Sequence, residues 1–503
     1  MINRAVSFFL TPLLRHIDKG RRNPWEMQQQ LFRRLIKAGK SSAFGQEHQF
    51  GHIRDVAAFQ RLVPVREYDG LLPYIERIRQ GEKQVLWNTP VCRLAKSSGT
   101  TAGKSKFIPI TCDVLQRCHY EGAKAIIALY LHRYPAAKLL GGQSLTLGGS
   151  LGNDGDNELI PSGDLSAILI QQSPWYSEYK RVPRRATALI PDFETKIARI
   201  TEEVLTKNVT SFAGVPSWNL VLMKKILAAS GKRHLLDVWP NLELFIHGGI
   251  SFEPYRQQYR ELIPSDGMHY METYNASEGF FAVQDDPSDP SMLLLPHLDV
   301  FYEFIPLNRL HDARDGKITP DTVDTVQTGV NYAMVITTSG GLWRYLIGDT
   351  VQFTSLTPHK IRITGRTRHF INAFGEELII DNAENALRKT CAQTGATVTD
   401  YTVAPIFMDH TAKGAHEWVI EFATPPADME QFAGLLDAAL CAENSDYEAK
   451  RAKNTTLNRL KLHAAPPGAF YEWMRRRNKL GGQHKVPRLS NTRDIMDELL
   501  KSL

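Results

Sequence analysis

Cysteine is scarce in this chain. Its five residues, Cys92, Cys112, Cys118, Cys391 and Cys441, form no C-x-x-C pair and no zinc spacing. That removes a C-x-x-C redox motif and a zinc ribbon from consideration, and it suits a reducing compartment. Long apolar runs are also missing. The stretch from Ala5 to Leu14 is interrupted by Pro12 and is too short for a membrane span, which needs roughly twenty apolar residues. The residues after it, Arg15 to Arg22, lack a small-residue cleavage pattern. An amphipathic helix packed on the body is therefore expected, in a cytoplasmic chain with no membrane partner. Charge is not concentrated either: the net charge of +6 is spread along 503 residues. The densest basic spot, Arg475-Arg476-Arg477, reads as a solvated helix face rather than a nucleic-acid site. There are no repeats and no low-complexity tracts. Hydrophobic and charged contents of 43% and 23% are ordinary for a globular protein, and the length calls for more than one domain.

The most informative segment runs from Leu94 to Thr111, a Ser/Thr/Gly-rich loop between two short apolar runs. Ser97, Ser98, Thr100 and Thr101 offer hydroxyl donors, Gly99 and Gly103 let backbone N–H groups turn toward an anion, and Lys104 and Lys106 add charge. A Walker loop, G-x-x-x-x-G-K-[ST], fails by one residue. Counting back from Gly103-Lys104-Ser105, the first glycine belongs at 98, where the chain has Ser98. The context fails as well, because Phe107-Ile108-Pro109-Ile110 reads as a strand and not as a helix. Thr111 can cap a helix starting near Asp113.

Further on, the pattern alternates. Ile197, Ile200, Val204 and Leu205 recur at helical spacing, and 211–215 reads as a buried strand. A helix opened by Pro216 and Ser217 follows. The strand 242–246 ends at Gly248-Gly249; a helix with Tyr255, Tyr259 and Leu262 leads to the strand 269–274. This order predicts a parallel sheet whose C-terminal strand ends gather ligands. From Met292 the pattern changes to short strands without helices: 293–295, 300–305, 332–337, 342–347 and 350–353. They predict an antiparallel, barrel-like subdomain. Helices return after Gly365-Arg366 in an α+β tail, with helices at 382–391 and 429–442 and strands at 401–407 and 418–422. The expected fold is α/β. It has a large N-terminal domain over 1–365 and a smaller α+β C-terminal domain over 366–503.

Four motifs fall at these strand ends and a fifth lies in a late loop, and each has a plain reading. In Tyr274-Asn275-Ala276-Ser277-Glu278-Gly279, a tyrosine can stack on a flat base and a carboxylate can hold Mg²⁺ against phosphate oxygens. The plain reading is a core tyrosine and a solvated glutamate. His247-Gly248-Gly249 is a tight turn or a backbone surface close to a ligand. Asp349, after Trp343-Arg344-Tyr345-Leu346-Ile347-Gly348, is a structural turn residue or an acceptor for a ribose diol. Gly365-Arg366-Thr367-Arg368 is a linker or a hinge. Lys485, in Gln483-His484-Lys485-Val486-Pro487-Arg488, is surface or functional.

The order Ser-Ser-Gly-Thr-Thr-x-Gly, Tyr-x-x-Ser-Glu-Gly, Tyr-x-x-Gly-Asp, Gly-Arg and Lys-Val-Pro-Arg resembles the Gretchen Hagen family of acyl acid–amido synthetases. With Glu67-Tyr68-Asp69 and Tyr74-Ile75 upstream, the resemblance covers nearly the whole chain. The wider adenylate-forming superfamily shares the phosphate loop, the Gly-Asp turn, the Gly-Arg hinge and the late lysine. The resemblance implies that ATP and a carboxylic acid give an acyl-adenylate, which an amine, typically of an amino acid, converts to an amide and AMP. ATP and Mg²⁺ are the implied cofactors and a monomer the implied state, with no nucleic-acid partner.

Carried over residue by residue, the resemblance places Ser97, Ser98, Gly99, Thr100 and Thr101 on the phosphates. Tyr274 goes on adenine, with Gly248, Gly249, Asn275 and Ser277 nearby. Glu278 would bind Mg²⁺, Asp349 the ribose hydroxyls and Arg366 the ribose or phosphate. Lys485 would serve adenylation from the mobile domain, and Val215, Ser217 and Trp218 would line the acyl pocket. Arg368 departs from the superfamily pattern, in which many relatives carry an acidic residue at the hinge. Two alternatives remain: an acyl-CoA ligase with a thiol acceptor, and a catalytically inactive nucleotide-binding protein.

Overall fold

A computed structural model describes residues 2–503 except 102–103, 152–158, 250–251, 315, 368–369, 372–377, 408–413, 445–446, 449–450, 452–456, 478, 481–484 and 491. The side chains of 2–9, 98–101, 104–105, 217, 254, 314 and 370 also lie outside the description. The described residues pack as two compact units. The first comprises Met1–Ile250 and Arg260–Ile363; the second comprises Ser251–Tyr259, Thr364–Leu480 and, after the undescribed 481–484, the rest of the chain to Leu503. The short segment Ser251–Tyr259, which the sequence assigns to the N-terminal domain, packs with the second unit.

The first unit opens with the helix Ile2–Arg22. Its Ile17 is buried in the core, and Leu10, Leu13 and Leu14 lie against that core. This is the packed amphipathic helix expected from the sequence, and no helix among the described residues is long and apolar enough to cross a membrane. The strands follow in chain order: β1 (Val91–Thr101), β2 (Lys104–Thr111), β3 (Gln143–Thr146), β4 (Ser162–Asp164), β5 (Arg181–Val182), β6 (Val209–Gly214) and β7 (Leu244–Gly248). Then come β8 (His269–Ala276), β9 (Gly279–Val283), β10 (Met292–Leu294), β11 (Val300–Pro306), β12 (Asn331–Thr338), β13 (Tyr345–Leu356) and β14 (His359–Arg366).

Strands β3, β5, β6, β7 and β8 are joined by parallel pairings, as the alternating strand–helix pattern requires. Hydropathy alone suggests a separate antiparallel subdomain after Met292. Instead β8 turns back through β9, and the antiparallel strands continue the same 11-stranded sheet in the order β11-β12-β13-β14-β10-β9-β8-β7-β6-β3-β5. The hairpin at β9 supplies the join, because its other edge is free to pair β10. The segments expected as two strands, 342–347 and 350–353, form one, with 342–344 left in the preceding turn.

The Ser/Thr/Gly segment is a hairpin, since β1 and β2 pair antiparallel, with Ser97 opposite Lys106 and Thr101 opposite Lys104. Thr111 closes β2 and caps the next helix: its Oγ1 accepts from Val114 N at 3.2 Å and donates to Ser339 O at 2.8 Å. At the hairpin root, the free thiols of Cys92 and Cys112 meet with their sulfurs 2.9 Å apart. Burial and the neighbouring thiol push Cys92 up to about 11, so it stays protonated at neutral pH.

The second unit carries β15 (Phe370–Ile371), β16 (Leu378–Ile379), β17 (Thr397–Ile406), β18 (Ala415–Thr424) and β19 (Lys461–Ala465). The last three form one sheet in that order. Tyr401 and Trp418 stack at 5.6 Å within its core, which also holds Leu387 from helix Ile380–Thr394 and Phe432 and Leu436 from helix Met429–Glu443.

Candidate active site

The parallel strands end side by side. Gly214 of β6 lies opposite His247 of β7, and Gly248 lies opposite Thr273 of β8. Val215, Gly248-Gly249 and Tyr274-Asn275 therefore line adjacent strand ends, where a doubly wound sheet binds its ligands. Gly248 fits because a Cβ there would collide with Thr273 O, and Gly249 adopts φ +83°, which glycine alone reaches without strain. Thr273 Oγ1 donates to His247 O at 3.1 Å and ties the two strand ends together.

Past β8 the chain turns tightly through Ser277 and Glu278 into β9. Both side chains are buried, and Ser277 Oγ has no hydrogen-bond partner among the described residues. A buried hydroxyl without a partner is costly, and a ligand's polar group would remove that cost. Glu278 is the acidic residue of this turn, and no cluster of three or more His, Cys, Asp or Glu stands ready for a metal among the described residues. That donor set fits a cation shared with phosphate oxygens and not a resident all-protein site.

Asp349 enters this site from β13. Between the pairs Val335–Leu346 and Ala333–Thr350 the register shifts, so residues 347–349 face Met334 alone. This is a bulge, and Gly348 at φ +92° makes it possible. It directs Asp349 to Tyr274, whose hydroxyl donates to Asp349 Oδ2 at 2.8 Å. Tyr274 is buried, with its ring 4.7 Å from that of Phe281. The β1–β2 hairpin is tied to the same strand, since Lys106 Nζ donates to Tyr345 OH at 3.4 Å and lies 5.6 Å from the Tyr68 ring.

The structure thus gathers Gly248, Gly249, Tyr274, Asn275, Ser277, Glu278 and Asp349 in one part of the first unit. Ser97 stands on β1, while the side chains of Ser98, Thr100 and Thr101, like that of Ser217, lie outside the described residues, as does Arg368. Gly99 lies within β1. Val215 caps helix Pro216–Ser230 by its backbone, and Trp218 is buried edge-on against Phe193 at 5.0 Å. Arg366 and Lys485 belong to the second unit, with Lys485 exposed.

Two supports escaped the sequence reading. Arg344, at φ +46°, donates to both Glu303 oxygens and to the carbonyls of Gln60 and Val63, fixing the start of β13 and so the bulge at Asp349. Lys196 is buried and donates to Gly148 O and Gly149 O at 3.1 and 2.8 Å, holding the loop after β3. Burial pulls its ammonium down to about 8, against the opposing pull of Asp164. A charged residue inside a hydrophobic pattern was the available signal in each case.

Three family models cover most of the chain. The GH3 family N-terminal domain matches residues 13–268, the central domain 292–366 and the C-terminal domain 381–494. The chain belongs to the GH3 family. Its similarity extends to an indole-3-acetic acid-amido synthetase of Oryza sativa subsp. indica, 24% identical over 97% of this chain and 92% of the relative. A jasmonoyl–L-amino acid synthetase of Oryza sativa subsp. japonica is 25% identical over 93% of each chain. Among solved structures, the GH3.15 acyl acid amido synthetase has the same fold, with TM-score 0.79 and 18% identity over 95% of this GH3 chain and 93% of that one. A 2-hydroxyisobutyryl-CoA ligase in its postadenylation state shares the fold more distantly, at TM-score 0.56 and 13% identity over 98% and 91%.

Proposed function

We propose that this protein is an ATP-dependent acyl acid–amido synthetase. A carboxylate oxygen attacks the α-phosphorus of ATP and pyrophosphate leaves. An amine nitrogen, of an amino acid or another amine, then attacks the acyl carbon, losing a proton as AMP departs. The observation that carries this reading is the Tyr274–Asp349 hydrogen bond beside the Gly248-Gly249 strand end. It sets an aromatic ring for the base next to a carboxylate for the ribose diol, with Glu278 on the adjoining turn.

Each residue has a task in that reaction. The hairpin hydroxyls of Ser97, Ser98, Thr100 and Thr101, with the backbone of Gly99, bind the phosphates. Glu278 holds Mg²⁺, which when bound offsets the anion–anion repulsion of the first step. Asp349 accepts from the ribose hydroxyls, Arg366 binds ribose or phosphate, and Val215, Ser217 and Trp218 line the acyl pocket. No enzyme nucleophile is required, because the adenylate already carries a good leaving group. The second unit, from about residue 366, rotates between the two steps, and Lys485 serves the first. We read the protein as a cytoplasmic monomer; its five free thiols suit that compartment.

A pyrophosphate-release screen of aryl and alkyl acids with ATP·Mg²⁺, each with and without an amino-acid pool, tests the reading. Acid-dependent release with amide formation is expected. Release with CoA as the productive acceptor in place of amines would make the protein an acyl-CoA ligase. No release with any acid, despite ATP binding, would make it a nucleotide-binding protein.

A further inference from the structure

The segment that bears Lys485 is fastened to the second unit with unusual thoroughness. Val403 N donates to Arg488 O at 2.9 Å and Ser490 N to Val403 O at 3.0 Å, so the segment runs parallel to β17. Thr402 Oγ1 donates to Pro487 O at 2.6 Å. Val486 and Leu489 are buried on either side, while Lys485 stays exposed.

The Arg488 side chain turns inward. Its Nη1 is bonded to the Asp400 carboxylate and donates to Tyr401 O at 3.2 Å; its Nη2 donates to Tyr255 OH at 3.0 Å. The guanidinium also lies 4.6 Å from the centre of the Tyr401 ring. A planar cation engaged along two edges and one face has a fixed orientation, which a lysine at this position would not reproduce. Only Val486 and Pro487 separate this anchor from Lys485. Pro487 fixes its own φ and holds Val486 extended, so little backbone freedom is left between the anchored residue and the lysine.

The partners are also informative. Asp400 and Tyr401 belong to β17, but Tyr255 lies on the short helical turn Glu253–Tyr255, a few residues past the Gly248-Gly249 strand end. One guanidinium thus ties the lysine segment both to β17 and to the Ser251–Tyr259 segment of the same unit.

We propose that Arg488 is a positioning residue for adenylation: held by Asp400, Tyr401 and Tyr255, it fixes the backbone from which Lys485 presents its ammonium. This rests on the reading of Lys485 as the group that serves the first half-reaction.

The test compares four variants: Lys485→Ala, Arg488→Lys, Tyr255→Phe, and Arg488→Gln combined with Asp400→Asn. The double change avoids leaving a buried carboxylate unpaired, which by itself could unfold the chain. Acid-dependent pyrophosphate release, amide formation from presynthesised acyl-adenylate and thermal unfolding are measured on each, and trypsin cleavage after Lys485 on those that keep it. The Arg488→Gln/Asp400→Asn protein should lose roughly tenfold or more in pyrophosphate release, the scale of losing charge-assisted bonds. It should keep amide formation within about twofold and be cut after Lys485 several-fold faster, on the order expected when local opening becomes easier. Arg488→Lys should recover part of the lost release, and Tyr255→Phe should lose part of it.

Normal pyrophosphate release and unchanged cleavage in the double variant, with Lys485→Ala inactive in the first step, would overturn the role of Arg488 and leave that of Lys485 standing. A harmless Lys485→Ala would remove the reading of Lys485 and this inference with it. Equal loss of both half-reactions with a lowered unfolding temperature would make Arg488 structural only.

Discussion

The Tyr274 hydroxyl and the Asp349 carboxylate, 75 positions apart in the chain, meet at 2.8 Å. Each lies beside a register fault. In β9 the shift lies opposite Tyr274 and Asn275, and in β13 it spans 347–349. A regular ladder would have carried Asp349 along the sheet at the pleat repeat; the bulge in β13 re-aims it toward Tyr274. A carboxylate that already accepts one hydrogen bond still has lone pairs for two ribose hydroxyls.

Removing only that hydroxyl is informative. Tyr274→Phe keeps the ring and takes away a hydrogen bond to a charged acceptor, worth about 1.5–3 kcal/mol. The KM for ATP in pyrophosphate release should rise on the order of tenfold, with the fold intact by circular dichroism. Tyr274→Ala should cost more, because the stacking face goes too. Equal KM values for wild type and Tyr274→Phe would detach this pair from nucleotide binding.

Glu278→Gln preserves size and loses charge. If the carboxylate works by holding Mg²⁺, pyrophosphate release should fall on the order of 100-fold and recover in part as Mg²⁺ is raised. A loss that raised Mg²⁺ leaves untouched would point to a proton-transfer role instead.

Arg344 and Glu303 form a buried ion pair, with both side chains almost fully enclosed. Breaking it from one side leaves a charge without a partner, so Arg344→Met should lower the unfolding free energy by about 3–5 kcal/mol. Arg344→Met with Glu303→Gln should recover most of that in urea unfolding. The double variant should still bind ATP weakly, because the start of β13 has lost its anchor.

Acid should unfold the protein partly through two histidines. Burial pulls His119 from 6.5 down to about 4, and burial followed by His16 pulls His297 down to about 3. Both are therefore neutral in the folded state at pH values where the unfolded chain is protonated. Unfolded molecules bind more protons below 6.5, so stability is full above that pH and declines as pH falls toward 4. His297→Asn should flatten part of this decline in urea midpoints measured from pH 7 to pH 4. A wild-type midpoint constant across that range would contradict the buried, neutral assignment.

The hairpin root offers a chemical check on geometry. Treated with diamide, a thiol oxidant, the protein should form the Cys92–Cys112 disulfide before any other, because only this pair of sulfurs stands within 2.9 Å among the described residues. Peptide mapping without reductant identifies the bond. A different first pairing would mean that the root of the hairpin opens in solution.

What the sequence determined by itself was local. Apolar periodicity marked the parallel strands 211–215, 242–246 and 269–274, the Thr111 hydroxyl marked a helix start, and the ordered short motifs marked the strand ends. These signals act over a few residues, through side-chain alternation and turn chemistry, so they survive without knowledge of neighbours. Partnership was decided only by tertiary structure. That one sheet runs on through β9 into the antiparallel strands, that Asp349 finds Tyr274, that Arg344 finds Glu303 and that Arg488 finds Tyr255 all depend on which strands and segments become neighbours. Strand order is set by burying the faces of the whole sheet at once, and that sum is not written in any one stretch of the chain.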